Sequence, residues 1–156
     1  ASPPCQAYSW SAKRWTNVPR RDLVAATRDA LRKVGKPYVI ENVVGAPLLN
    51  PIRLCGLMFG KPATLEHPKV LRHRLFESSI PLIAPPHVKH IPSGVPLGYY
   101  ITVAGHGGET KAGNFGIAKW QEVMGIDWTT NKHELAEAIP PCYAEYVGKQ
   151  LLERIG

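Results

Sequence analysis

Proline and glycine are scattered through this chain from end to end, fifteen and fourteen of them, together 29 of 156 residues. Proline alone runs at about twice its usual share of about 5%. Proline breaks helix interiors and central strands, and glycine weakens both, so the spacing admits only short regular elements joined by many turns. Because these residues are spread rather than clustered, the pattern describes a loop-rich folded domain and not a disordered tail. The length suits one ordinary domain with a core that needs no staples.

Between the breakers, a few segments carry periodicity. Residues 20–34 read as an amphipathic helix, with Leu23, Ala26, Ala30, Leu31 and Val34 at helical spacing. Pro19 suits its start, while Gly35 and Pro37 stop it. The apolar run Tyr38-Val39-Ile40 follows and leads into Glu41-Asn42-Val43-Val44. A helix followed by such a strand reads as half of a βαβ unit in a parallel sheet, with Glu41 and Asn42 near the strand's C-terminal end, where ligands bind in open sheets. Leu54 to Phe59 reads as a buried island, Val70 to Phe76 as one strand, the proline-rich stretch from Ser78 to Gly98 as mostly loop, and Tyr99 to Ala104 as a strand. Helices are expected over about 116–124, from Asn131 with Glu134 three residues on in a capping-box arrangement, and from Pro140-Pro141 through Tyr143, Val147 and Leu151. There is no internal repeat and no low-complexity segment.

Composition narrows the function classes. Hydrophobic residues make up 44% and charged residues 20%, with a mean hydropathy of −0.15. No apolar run approaches the roughly 20 residues a membrane helix needs, and nothing reads as a signal peptide. Nineteen Lys+Arg against twelve Asp+Glu give a net charge of +7, which suits a polyanionic partner. The three cysteines, Cys5, Cys55 and Cys142, are odd in number and far apart, which points to a reducing compartment, the cytoplasm, rather than a disulfide framework. His87 and His90 are close enough in sequence to share a metal. No CxxC exists, however, and no cysteine or carboxylate cluster joins them, so they read as loop histidines and no metal is expected.

The chain opens Ala1-Ser2-Pro3-Pro4-Cys5 without a methionine, and is expected to have been cut or to start where something else ends. Cys55, flanked by Leu54, Leu57 and Phe59, reads as a small buried hydrophobe. Cys5 does not, because Pro-Pro precedes it and Gln6, Ser9 and a basic loop follow.

The segment SPPCQAYS closely resembles the nucleophile motif of the cytosine-5 DNA methyltransferases. Four further stretches resemble that family in the same order. They are Glu41-Asn42-Val43, Arg72-His73-Arg74 within LRHRLFESS, Trp120 to Trp128 with its MGIDW, and IPPCYAEYVG from Ile139 to Gly148. The last is similar to the final motif of phage and actinobacterial members. The resemblance spans nearly the whole chain and implies an α/β, Rossmann-like methyltransferase sheet, present in part. It also implies a catalytic part at 1–77, a small target-recognition segment at 78–115, and C-terminal helices at 116–156 that return to the catalytic part.

The implied chemistry explains the residue types. Cytosine C5 is a poor nucleophile until a thiolate adds at C6 and pushes electron density to C5, which then takes a methyl from S-adenosylmethionine. Cys5 is implied as that thiolate. Glu41 is implied as the acid that hydrogen-bonds N3 and the exocyclic amine, with Asn42 orienting the loop. Arg72 and Arg74 are implied to hold the cytosine O2 and the cysteine loop. Since the base cannot react inside a duplex, the stretch Tyr8 to Arg21 suits a loop closing over DNA. Gln6, Ser9, Trp10, Lys13, Arg14 and Trp15, with His106 in the loop Gly105-His106-Gly107-Gly108, are the implied nucleic-acid contacts.

The family's first half is absent. There is no Phe-x-Gly-x-Gly loop, no acidic residue for the ribose and no adenine-binding motif. Only Pro4, Leu23, Pro141 and Cys142 are left to touch cofactor, so a second chain or fragment carrying the cofactor-binding half is expected. The glutamine that usually precedes the arginine pair is Val70, and the Asn-Ser of the final motif is Pro141-Cys142. Two other readings stay open: a non-catalytic nucleic-acid-binding remnant or subunit of the same fold, and the same chemistry on RNA.

Overall fold

A computed structural model describes residues 1–9, 20–87, 90, 99–103 and 115–155. Among the described residues the architecture is mixed α/β, with four α-helices and five short strands. The chain divides into two compact units. One holds Ala1–Leu54, His73–Ala84 and Lys149–Gly156, and the other holds Cys55–Arg72 and Pro85–Gly148. This division differs from the expected 1–77, 78–115 and 116–156, and the apolar packing of the second unit gives the reason.

The first unit is built on α1 (Val24–Val34) and three strands, β1 (Val39–Asn42), β2 (Ile52–Leu54) and β4 (Arg74–Ser78). The Asp22 carboxylate accepts from the Val24 N–H at 3.0 Å and opens α1. Gly35, in the left-handed region at φ 67°, closes it with its N–H on the Arg32 carbonyl. The expected apolar face is corrected: Val24 and Arg28 are the buried positions, Thr27 and Leu31 are half-buried, and Ala26, Ala30 and Val34 face outward. Arg28 turns the face inward, because its guanidinium donates to Glu77 from Nε at 2.6 Å and from a terminal nitrogen at 2.7 Å.

The sheet runs β1-β4-β2, and both pairings are antiparallel, with Glu41 opposite Phe76 and Leu54 opposite Arg74. The expected parallel sheet is therefore corrected at β1. A strand buried on both faces has the same apolar run whichever way its neighbour points, so the pattern does not carry direction. One parallel exchange does flank β1. The Ala1 amine donates to the Val39 carbonyl at 2.7 Å, and the Ala1 carbonyl accepts from the Glu41 N–H at 2.9 Å.

In the second unit, β3 (Lys69–Val70) and β5 (Tyr100–Ile101) pair in parallel. Against them pack α2 (Ile117–Met124) and α3 (Lys132–Glu137), in a core of Val70, Ile101, Val103, Trp120, Met124, Ile126 and Leu135. That burial assigns residues 116–148 to this unit. The Asn131 side chain accepts from the His133 N–H and caps α3. The Glu134 carboxylate takes the Thr129 hydroxyl rather than completing a capping box. The last helix, α4 (Pro141–Ile155), opens at Pro141 as expected. Its Tyr143 is fully buried, stacks on Phe59 at 5.3 Å and donates its hydroxyl to the Arg72 carbonyl at 2.6 Å.

The expected single strand over 70–76 is two strands, β3 and β4, one in each unit. Among the described residues no helix is long and apolar enough to cross a membrane.

Gly56, in the short 3-10 turn Gly56–Met58, is a point of tight packing. A Cβ there would lie 2.3 Å from the Val70 carbonyl oxygen and 2.6 Å from its Cγ1. Backbone cannot swing aside, so Gly56→Ala is expected to cost about 1–3 kcal/mol. Chemical denaturation measures the loss, and an unchanged midpoint would contradict it.

Candidate active site

The N-terminal segment and the C-terminal end of β1 form the site. Strand β1 delivers Glu41 and Asn42 as its last two residues, and both are buried. The Glu41 carboxylate takes two partners. Its Oε1 lies 3.0 Å from Arg74 Nε, and its Oε2 accepts the Ser2 hydroxyl. Arg74 also donates to the His73 carbonyl at 2.9 Å, which fixes the guanidinium against its own strand. Asn42, 1% exposed, donates its amide to the Pro3 carbonyl at 2.9 Å and accepts from the Val43 N–H with its own oxygen.

These hydrogen bonds fasten residues 2 and 3 to Glu41 and Asn42. Cys5 follows two residues on, so its Cα lies within about 7.6 Å of Pro3's. Its carbonyl accepts from the Tyr8 and Ser9 N–H groups, both at 2.9 Å, making a tight turn that leaves the thiol half-buried. Burial pushes the Tyr8 phenol up to about 12, with the Asp22 carboxylate adding to the rise.

Chemically, the arrangement offers a thiol on a stiff turn, a buried carboxyl group with two oxygens of different environment, and a guanidinium that holds one of them. Both oxygens are engaged, so an incoming base edge must displace the Ser2 hydroxyl to reach Oε2. Nothing in the sequence flagged Ser2, because a serine before two prolines reads as an ordinary turn.

Arg72 belongs to the second unit. It was expected beside Arg74 on the substrate. Instead its guanidinium, 5% exposed, donates to the Val103 carbonyl at 2.8 Å and the Ala136 carbonyl at 2.5 Å within the second unit. Residues two apart share a face only within one strand, and the chain leaves β3 at Val70 and enters β4 at Arg74. These two bonds engage Arg72 structurally within the second unit.

Of the expected nucleic-acid contacts, Gln6 is exposed and Ser9 half-buried. Trp10, Lys13, Arg14, Trp15 and His106 lie outside the described residues. Pro4 is exposed and Leu23 half-buried in the first unit, while Pro141 is exposed and Cys142 half-buried in the second. Burial pushes the Cys142 thiol up, against a smaller opposing pull from Lys69. Pro4, Leu23, Pro141 and Cys142 carry no charged side chain, so they would meet S-adenosylmethionine through backbone groups, apolar contact and the Cys142 thiol. A cavity of about 680 Å3 in the first unit is walled by Arg32, Tyr38, Ile52, Phe76, Glu77 and Leu82 among others, and Cys5, Glu41 and Arg74 do not line it.

The second unit brings together residues that the sequence kept apart. Cys55 Sγ lies 3.5 Å from His90 Nε2, and the His87 and His90 rings are 5.0 Å apart at 40°. Burial, and then the neighbouring His87, holds His90 below the ordinary histidine range. The reading that no cysteine joins His87 and His90 is corrected: Cys55 does, 35 residues along the chain from His90.

In comparison with known proteins, the chain matches no family model and no curated protein, so the resemblance rests on its own sequence motifs.

Proposed function

We propose that this chain is the base-activating part of a DNA cytosine-5 methyltransferase, a Rossmann-like enzyme whose methyl donor is held by residues outside this chain. The observation that carries the reading is the fastening of SPPCQ to Glu41-Asn42, through Ser2 on the carboxylate and Pro3 on the amide, with Arg74 on the other carboxylate oxygen. Those bonds join three of the motifs that resemble the family.

The chain's own residues account for the activation step. The Cys5 thiolate adds to C6 of a cytosine turned out of the stack, forming an S–C6 bond. The displaced π pair spreads toward C5 and N3. Glu41 meets N3 and the exocyclic amine, so it selects cytosine over thymine and stabilises the charge that develops. Arg74 keeps the Glu41 carboxyl group oriented, and Asn42 keeps the cysteine turn beside it. The net charge of +7 and the cations of the Tyr8 to Arg21 stretch supply phosphate contacts.

With no donor present, the activated C5 takes a proton from solvent, loses its original hydrogen, and expels the thiolate to restore cytosine. The test is therefore isotope exchange. A duplex with a mispaired cytosine labelled with tritium at C5 is incubated with the 156-residue chain alone, and label released to water is counted. Release is expected for the parent and should fall about 10²–10⁴-fold in Glu41→Gln, the usual contribution of a positioned acid. A single-stranded RNA substrate run in parallel tests the same chemistry on the other polymer.

Should the parent release nothing while its DNA affinity still falls with salt, the non-catalytic nucleic-acid-binding reading replaces this one. The structural engagement of Arg72 favours that second reading. Under either, Lys13→Ala or Arg14→Ala should shrink the slope of log K against log salt by about one for each phosphate that the replaced cation neutralises.

A further inference from the structure

The second unit gathers a thiol and two imidazoles at one point. Cys55 is fully buried at the head of the 3-10 turn. His87 and His90 stand three residues apart after Pro85-Pro86, a pair that stiffens the approach to them. One ligating atom from each of the three residues lies within 4.8 Å of the others.

We propose that Cys55, His87 and His90 bind a divalent metal ion of the zinc class, which clips the Pro85–His90 stretch to the turn at Cys55. The spacing is the first argument. A tetrahedral centre with Zn–S of about 2.3 Å and Zn–N of about 2.0–2.1 Å sets its sulfur and nitrogen ligands about 3.6 Å apart. The observed Sγ to Nε2 distance is 3.5 Å. The His87 ring lies 5.0 Å from the His90 ring, which brings a second imidazole to the same point.

The donor set gives the second argument. A soft thiolate with two imidazoles selects zinc, or cobalt in its place, over magnesium or calcium, which prefer oxygen. Binding displaces the thiol proton, so the thiolate is the form that ligates. None of this depends on the methyltransferase reading.

Cobalt tests it directly. The full chain is stripped with a chelator, dialysed, and titrated with Co2+ under reducing conditions. The expected result is one equivalent of bound cobalt with a thiolate-to-metal charge-transfer band in the near ultraviolet and the intense visible bands of a tetrahedral site, all bleached by added Zn2+. Cys55→Ser should lose the charge-transfer band. His87→Ala, altered at an exposed side chain and so expected to fold, should bind at least about tenfold more weakly. Cys5→Ser and Cys142→Ser should keep the band. Absence of the band in the parent, its survival in Cys55→Ser, or unchanged affinity in His87→Ala overturns the site and leaves only the hydrogen bond.

Discussion

Duplex DNA carrying 5-azacytosine is expected to become covalently joined to the parent chain, and Cys5→Ser is expected to form no such product. A ring nitrogen in place of C5 makes C6 more electrophilic. The Cys5 thiolate adds there, the S–C6 bond forms, and the π pair moves to N5, which takes a proton from solvent. No methyl donor enters the balance, so the product forms without one. The turn that carries Cys5 is fixed by two N–H groups on its carbonyl and by the Pro3 carbonyl on Asn42. The thiol is thus carried on a hydrogen-bonded turn rather than on a loose terminus, and positioning of a nucleophile is worth several powers of ten in effective concentration. A denaturing gel followed by peptide mapping measures the product. The adduct should map to the segment Ala1–Lys13. An adduct on Cys55 or Cys142, or one that persists in Cys5→Ser, would assign the nucleophile elsewhere.

Some of this was legible from residues alone. Gly35, Asn131 and Pro141 mark helix ends through backbone geometry that depends only on neighbours, and α1, α3 and α4 end or begin there. Glu41-Asn42 at the end of an apolar run was also legible, because β1 is short and bounded by Pro37 and Gly45. Strand direction was not, since β1 has the same apolar residues beside an antiparallel β4 as beside a parallel neighbour. The separation of Arg72 from Arg74 was equally hidden. The partners of Arg72 are backbone carbonyls at positions 103 and 136, and a carbonyl has no sequence signature. The same holds for Cys55 with His87 and His90: ligand spacings are recognisable when short, and Cys55 and His90 are 35 residues apart. The burial of Arg28 was hidden too, because the apolar residues of α1 suggested a different face and its partner Glu77 lies 49 residues away on β4.

That buried pair carries the largest stability effect in the first unit. Glu77 is 2% exposed and accepts from two guanidinium nitrogens of Arg28 and from the Leu49 N–H at 2.8 Å. Arg28 in turn reaches the Pro47 carbonyl at 2.9 Å, so one ion pair ties α1, β4 and the loop after β1 together. Removing one member strands a charge away from water, and Arg28→Ala or Glu77→Ala is expected to cost about 3–5 kcal/mol, a large part of the about 5–15 kcal/mol that holds an ordinary domain. Replacing both by apolar residues, Arg28→Met with Glu77→Leu, should recover most of the loss, since the penalty lies in the unpaired charge. The pair also leaves a mark in pH. Burial works to raise the Glu77 carboxyl, but the Arg28 hydrogen bonds, the Leu49 N–H and the nearby Arg32 outweigh it and leave the group below the usual carboxylate range. A carboxyl lowered by folding stabilises fully above its unfolded value of about 4.3, and that contribution is lost as pH falls through the folded value. Denaturant unfolding at neutral pH and at about pH 3 should therefore show a steeper acid loss in the parent than in Glu77→Gln, the difference isolating this carboxyl from Asp22 and the rest. A cost below about 1 kcal/mol for Arg28→Ala, the range of a surface pair, together with parallel acid profiles for parent and Glu77→Gln, would mean that water reaches the pair and that α1 is held by its apolar packing instead.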